Sequence, residues 1–278
     1  MTRGAPRGSI YLVAGERKKE MRRAQDTKQV GLARALSKLG YCSRSRAVEL
    51  IGVGRVRLNG ATRKDPETPV RLEHDRIDVD GRMVRPESKI YLMLNKPRGV
   101  VTTASDEKGR NTVYSCLDEA LPWVGPVGRL DKASEGLILL TNDSEWASRV
   151  SDPNTHLDKT YHVQVGVVAG ENLADALVRG VPIESGDESA ELLRAKRAHV
   201  LRTGQRNAWI EIVLDEGKNR QIRRMFDQLG IEVLRLVRIA IGPLHLGQIP
   251  KGKFRALTRE EKRSIDSTIR ISGGKRTN

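Results

Sequence analysis

The sequence predicts an α+β protein in two folded parts: a small helix-and-hairpin module, then a larger domain built on a mostly antiparallel sheet with flanking helices. Three observations lead there. Residues 29 to 88 carry two helical patterns followed by strand patterns that turn on Asn-Gly and Asp-Gly pairs. Pro86 to Lys89 forms a short polar link. Beyond it, strand and helix patterns mix without regular βαβ spacing, which argues against a doubly wound sheet.

In chain order, residues 1 to 28 hold eight Lys or Arg against three Asp or Glu, a balance of +5, and few apolar residues. Such a segment cannot bury a core and is expected to be a disordered basic tail. Leu32, Leu36 and Leu39 fall at helical spacing, with Gly40 placed to close the helix. Ser43 is placed to cap a second helix through Ala47, Leu50 and Ile51. Val56-Arg57-Leu58 alternates as a strand into Asn59-Gly60, and the stretch around Asp80-Gly81 repeats the design. In the larger part, strands are expected at 90 to 94, 137 to 141, 161 to 168 and 208 to 214. Helices are expected at 144 to 150, 171 to 179 and 219 to 229, and Asn95 to Gly99 reads as a basic turn. The larger domain is drawn from 89 to 262, and residues 263 to 278 are expected to be a flexible C-terminal tail.

The chain has 278 residues, a net charge of +15 and a pI near 10.1. A field of that sign attracts polyanions, and nucleic acid is the commonest of them. No run of about 18 apolar residues is present, so no spanning helix is expected and the short Ile10 to Val13 patch is too weak for a signal peptide. Two cysteines without CxxC spacing fit a reducing cytoplasm rather than a disulfide framework or zinc site. The five scattered histidines suggest no metal cluster.

Residues 30 to about 88 resemble the RNA-binding module first seen in ribosomal protein S-four. The resemblance rests on the two-helix start, the segment Ser43 to Arg46, and the strand Gly54 to Gly60. Residues 31 to 60 hold six Lys or Arg and one acid, so Arg34, Arg44, Arg46 and Arg55, with Lys38, are candidates for phosphate contacts. Such contacts supply affinity but read little sequence.

Four further segments stand in order: Leu94-Asn95-Lys96-Pro97-Arg98-Gly99, Gly128-Arg129-Leu130-Asp131, Lys159-Thr160-Tyr161, and Glu216 to Met225. Behind a module of that type they resemble the RsuA/RluB/RluE/RluF family of pseudouridine synthases. The resemblance covers residues 30 to about 260. It implies isomerisation of a specific uridine in ribosomal RNA, the large subunit favoured over the small, with no cofactor and no metal. The expected partner is ribosomal RNA or a pre-ribosomal particle, and the enzyme is expected to be a cytoplasmic monomer with no membrane association.

The resemblance assigns Asp131 as the catalytic carboxylate, and whether it meets the base ring or the ribose carbon is open. A carboxylate in a closed pocket needs a neighbouring cation to stay ionised. Comparison with other branches points to Arg223 as that partner, with Lys218 second, and leaves Arg220 and Arg224 for phosphates. Tyr161 is expected to stack on the target base, which must be unpaired or flipped out to be reached. Ile222 would complete an apolar wall, Arg129 would take the space left by the flipped nucleotide, and Lys96 is assigned to RNA contact. Two other classes compete. A non-catalytic RNA-binding assembly factor would need the basic surface but not Asp131, and a nuclease would need clustered carboxylates or a positioned histidine.

Overall fold

The computed structural model describes residues 29–103, 109–183 and 191–273. The expected basic tail at 1–28 and the last residues, 274–278, lie outside them. The chain divides into two compact units after Pro86, and each buries its own aliphatic core.

In the first unit, helix α1 (Leu32–Lys38) buries Leu32, Ala35 and Leu36, and Gly40 follows it with a φ of 80°. Helix α2 (Arg44–Gly52) begins as the sequence predicts, with the Ser43 side chain accepting from the Arg46 amide at 3.1 Å. Four strands follow: β1 (Val56–Leu58), β2 (Ala61–Thr62), β3 (Ile77–Val79) and β4 (Arg82–Met83), in the spatial order β2-β1-β3-β4. Both hairpin turns need two successive residues at positive φ. Asn59 and Gly60 supply 52° and 83°, Asp80 and Gly81 supply 50° and 76°. A two-stranded pairing of Val30–Gly31 with Pro69–Val70 closes the module.

The second unit is a nine-stranded sheet. Its strands are β5 (Tyr91–Lys96), β6 (Gly125–Val127), β7 (Glu135–Thr141), β8 (Lys159–Val165), β9 (Arg197–Thr203), β10 (Ala208–Leu214), β11 (Val233–Ile241), β12 (Leu244–His245) and β13 (Phe254–Ala256). The main path runs β9-β10-β8-β11-β7-β5-β13, with β6 beside β7 and β12 beside β11. Every pairing is antiparallel except β11 with β7, where Val237 faces Glu135 and Arg238 faces Gly136. Helices α3 (Ser144–Ser151), α4 (Glu171–Arg179), α5 (Gln221–Gln228) and α6 (Arg259–Gly273) flank it.

Several boundaries differ from the sequence reading; β7 opens at Glu135 rather than 137, and α5 spans 221–228 rather than 219–229. Strand β5 runs on through Asn95 and Lys96, because Lys96 pairs with Gly136, so the basic turn begins only at Pro97. Strand β8 spans 159–165 rather than 161–168, ending where the Gly166 amide bonds to Glu232 O at 3.0 Å. The expected tail from 263 is instead part of α6. Thr258 and Glu261 form a reciprocal capping box at its start, at 2.9 and 3.1 Å. Ile265 is fully buried, and Asp266 accepts from the Trp146 indole at 2.9 Å.

Gly136 sits where the parallel pair is tightest. Its φ is 103°, and a Cβ there would lie 2.2 Å from Arg238 O and 2.8 Å from Arg238 N. Neither backbone atom can swing aside as a side chain could. Gly136→Ala is therefore expected to destabilise the second unit by at least about 2 kcal/mol, read as a lowered urea midpoint. A loss under about 0.5 kcal/mol would mean that the β7–β11 junction yields instead.

Candidate active site

The turn between β6 and β7 carries Asp131, and its backbone is held residue by residue. Arg238 Nη1 donates to Arg129 O at 3.4 Å. The Thr102 hydroxyl donates to Leu130 O at 2.8 Å. Asp131 O accepts from the Ser134 amide at 3.0 Å, and Lys132 O from the Gly99 amide at 2.8 Å. Arg223 Nη2 donates to Ala133 O at 3.1 Å, and Lys96 Nζ to Ser134 O at 2.8 Å. Every carbonyl from 129 to 134 thus has a donor, and three of those donors are cations arriving from β5, α5 and β11.

The Asp131 side chain is half-buried and has no ion pair among the described residues. It lines an open cavity of about 660 Å³, together with Arg129, Tyr161, Lys218, Arg220, Ile222 and Arg223. Seven residues chosen from sequence therefore meet in one place. Leu130, Leu214, Leu236 and Ile241 add the apolar wall that Ile222 was expected to supply. Tyr161 projects from β8, half-buried and packed against two of the cores.

The expected pairing of Arg223 with Asp131 is corrected. The guanidinium reaches the Ala133 carbonyl instead, and its Nε is buried without a partner. Burial and the neighbouring Arg220 hold Arg223 below the usual arginine range, while the nearby Asp131 charge pulls it back up. Arg223 is therefore tied to the turn's backbone rather than to the Asp131 carboxylate. Lys218, the second choice, is held by Glu216 at 3.3 Å and Glu191 at 3.4 Å.

Lys96 is also corrected. It is fully buried, and its ammonium bonds to Pro97 O at 3.0 Å and Ser134 O at 2.8 Å, so it offers no surface to RNA. Burial pulls it down to about 8, against the opposing pull of Cys116, Asp131 and Glu135. Arg224 does not stand free for phosphates either, since it binds Glu191 at 2.7 Å. Arg220 does lie exposed at the cavity mouth, in the left-handed conformation with φ 47°, directly before α5. Gln221 locks that helix start by donating to Glu216 at 2.7 Å and to Arg194 O at 3.1 Å.

Two cavity-lining cations escaped the sequence reading as site residues. Lys159 opens β8, where burial depresses its ammonium. Arg238 lies in β11 and is 94% buried, since its relative exposure is 6%. The usable signal for Arg238 was a charge flanked on both sides by aliphatic residues, in LVRIAI. Glu135, the residue that opens β7, is buried. Burial pushes its carboxyl up, and Arg235 at 2.9 Å with Lys251 at 2.6 Å overcomes that and holds it below the usual range.

In the first unit, Arg34 and Arg44 are exposed on α1 and α2. Arg46 pairs with Glu49 at 2.7 Å and Arg55 with Asp80 at 2.7 Å, both in exposed settings where such pairs give way readily.

A held aspartate, an aromatic side chain and a rim of cations line one open cavity in the unit that follows the small basic module. Comparison with known proteins makes the class definite. Residues 90–228 match the RNA pseudouridylate synthase family, and residues 30–77 match the S4 domain. The chain is 36% identical over 237 residues to ribosomal large subunit pseudouridine synthase B of Bacillus subtilis (strain 168), covering 84% of this chain and 94% of that protein. It is 35% identical over 234 residues to an uncharacterized RNA pseudouridine synthase of Aquifex aeolicus (strain VF5), covering 84% and 92%. A crystal structure of pseudouridylate synthase superposes with a TM-score of 0.59 at 30% identity, covering 85% of this chain and 99% of that one. The chain belongs to the RNA pseudouridylate synthase family and is a pseudouridine synthase with an N-terminal S4 domain.

Lys96 gives a pH signature of the turn. Its folded value of about 8 lies below the ordinary lysine value of 10.5, so between those limits the unfolded chain binds more protons than the folded one. Stability contributed through this group therefore rises with pH across that window. Relative to Lys96→Met, the wild type should gain on the order of 1 kcal/mol per pH unit between pH 8 and 10, measured by urea unfolding. A difference that stays flat would place the ammonium outside the low-dielectric interior.

Proposed function

We propose that this enzyme isomerises a uridine of large-subunit ribosomal RNA, with Asp131 as the anionic catalyst and the S4 domain as an RNA anchor. The reaction breaks the bond from uracil N1 to ribose C1′ and forms one from C5 to C1′. The C5 proton leaves to water and N1 gains a proton, so no redox partner is required. The observation that carries the reading is that Asp131 lines the cavity beside Tyr161 with its carboxylate free of ion pairs among the described residues. The turn's cations are occupied by backbone carbonyls, so they lie near the carboxylate without covering its oxygens.

In this reading Tyr161 receives the flipped-out base on its ring face, and the apolar wall of Ile222 and Leu236 encloses it. Arg129 and Arg220, exposed at the rim, meet the displaced strand and its phosphates. The large-subunit target is supported by the Bacillus subtilis relative, a ribosomal large subunit pseudouridine synthase B. The enzyme acts in the cytoplasm, on ribosomal RNA or a pre-ribosomal particle, as a monomer without a cofactor.

Asp131→Asn is expected to reduce the single-turnover rate by more than about a thousandfold while RNA affinity stays within a few fold. The amide is nearly isosteric but cannot act as an anion. Release of tritium from in vitro transcribed large-subunit RNA labelled at uridine C5 reads the rate, and substantial turnover by the variant would sink the assignment.

The S4 domain is testable separately, because the second unit buries its own core. The fragment 87–278 should bind the same RNA more weakly and with a shallower salt slope, each lost phosphate contact removing about 0.7 to 0.9 from it. Turnover at high RNA concentration should persist. Equal affinity for fragment and whole chain would remove the anchoring role.

A further inference from the structure

We infer that Arg238 is a positioning residue for the isomerisation, one guanidinium that ties both ends of the Asp131 turn to the strand beside Tyr161. The inference rests on the reading of Asp131 as the catalytic carboxylate, and it concerns what sets that carboxylate's place.

The guanidinium reaches both sides of the aspartate. Nε donates to Leu137 O at 2.7 Å, beyond the turn, and Nη1 donates to Arg129 O at 3.4 Å, before it. A lysine would present one point charge on a flexible stem in place of this rigid fork, whose two nitrogens each hold a carbonyl. The base of the side chain is equally constrained. Arg238 stands opposite Gly136 in the parallel pair, at an approach so close that no Cβ would fit at Gly136. On its other side it is the register partner of Tyr161 in β8. The same residue therefore links the backbone that carries the carboxylate to the strand that carries the aromatic ring.

The arrangement has a cost that stability alone does not explain. Arg238 is a buried cation with no carboxylate partner among the described residues, and its Nη2 is buried without a hydrogen bond. An aliphatic residue would avoid desolvating a charge there, and a buried donor left unpaired is unfavourable. The neighbouring cations add to the cost, since the Arg238 charge works against protonation of both Lys96 and Lys159. A residue kept at the floor of the cavity under these conditions is explained by geometry. It fixes the separation of Asp131 and Tyr161 before any base arrives, and a misplacement of about 1 Å in such a pair can cost on the order of a hundredfold in rate.

The test uses the full-length enzyme and in vitro transcribed large-subunit RNA labelled with tritium at uridine C5. Arg238→Met should lower the single-turnover rate at saturating enzyme by about a hundredfold, with RNA affinity within about twofold. Amide exchange across residues 128–134 should quicken in the same variant. Arg238→Lys, which keeps the charge and one carbonyl, should recover part of the rate. A wild-type rate in Arg238→Met would overturn the inference, as would a loss that merely follows RNA affinity or the folded fraction. Should the Met variant fail to fold, Arg238→Lys is judged by the same measures. Asp131→Asn run alongside separates the two readings: activity there defeats the assignment of Asp131, whereas a dead Asp131→Asn with fully active Arg238 variants defeats only the positioning role.

Discussion

The structure around the cavity depends on one constraint: the carbonyls of a single tight turn are all satisfied by donors of the protein itself, most of them from outside the turn. Six successive carbonyls, from Arg129 to Ser134, accept hydrogen bonds, and five of the six donors come from strands, a helix and a loop far apart in the chain. A turn built on local contacts would be free to breathe. This one is clamped from three directions, and it leaves the side chain of Asp131 without an ion pair among the described residues. Unpaired buried carbonyls would be costly, and that cost selects Lys96, Arg223 and Arg238 as partners.

Positive charge consequently does two separate jobs. Outside, exposed arginines such as Arg34, Arg44, Arg129 and Arg220 are hydrated and available to a polyanion. Inside, Lys96 and Arg238 are withdrawn from solvent and spend their donors on backbone oxygens. The net charge of +15 cannot distinguish these populations. A third set is neutralised locally, as Lys218 and Arg224 are by Glu191 and Glu216.

What the sequence makes legible follows from how local each cause is. The two hairpin turns, the Ser43 cap and helix α4 rest on neighbours within a few residues, and the structure has them where the pattern puts them. The residues around Asp131, Tyr161 and Ile222 could be grouped because ordered motifs carried them. Lys96 was misread because a lysine before Pro-Arg-Gly looks like loop composition, and its two carbonyl partners belong to a contact no local pattern records. The charged pairing expected for Arg223 failed for a related reason. Residue type predicts attraction, but the nearest acceptor was a backbone oxygen that every residue possesses. Helix α6 was recoverable, since Ile265 and Ile269 stand four apart behind a Thr-x-x-Glu box, but Gly-Gly and basic residues at the end outweighed that signal.

The single parallel pairing in the sheet also governs the order in which the enzyme can become competent as it is synthesised. Glu135 and Arg235 stand 100 positions apart, and β11 is among the last strands of the sheet to leave the ribosome. A nascent chain extended only through α5 already contains the S4 domain, the aspartate and the tyrosine. It lacks the strand that closes both ends of the turn. Contacts of such long range form late, so the turn is clamped at both ends only after that strand has been made.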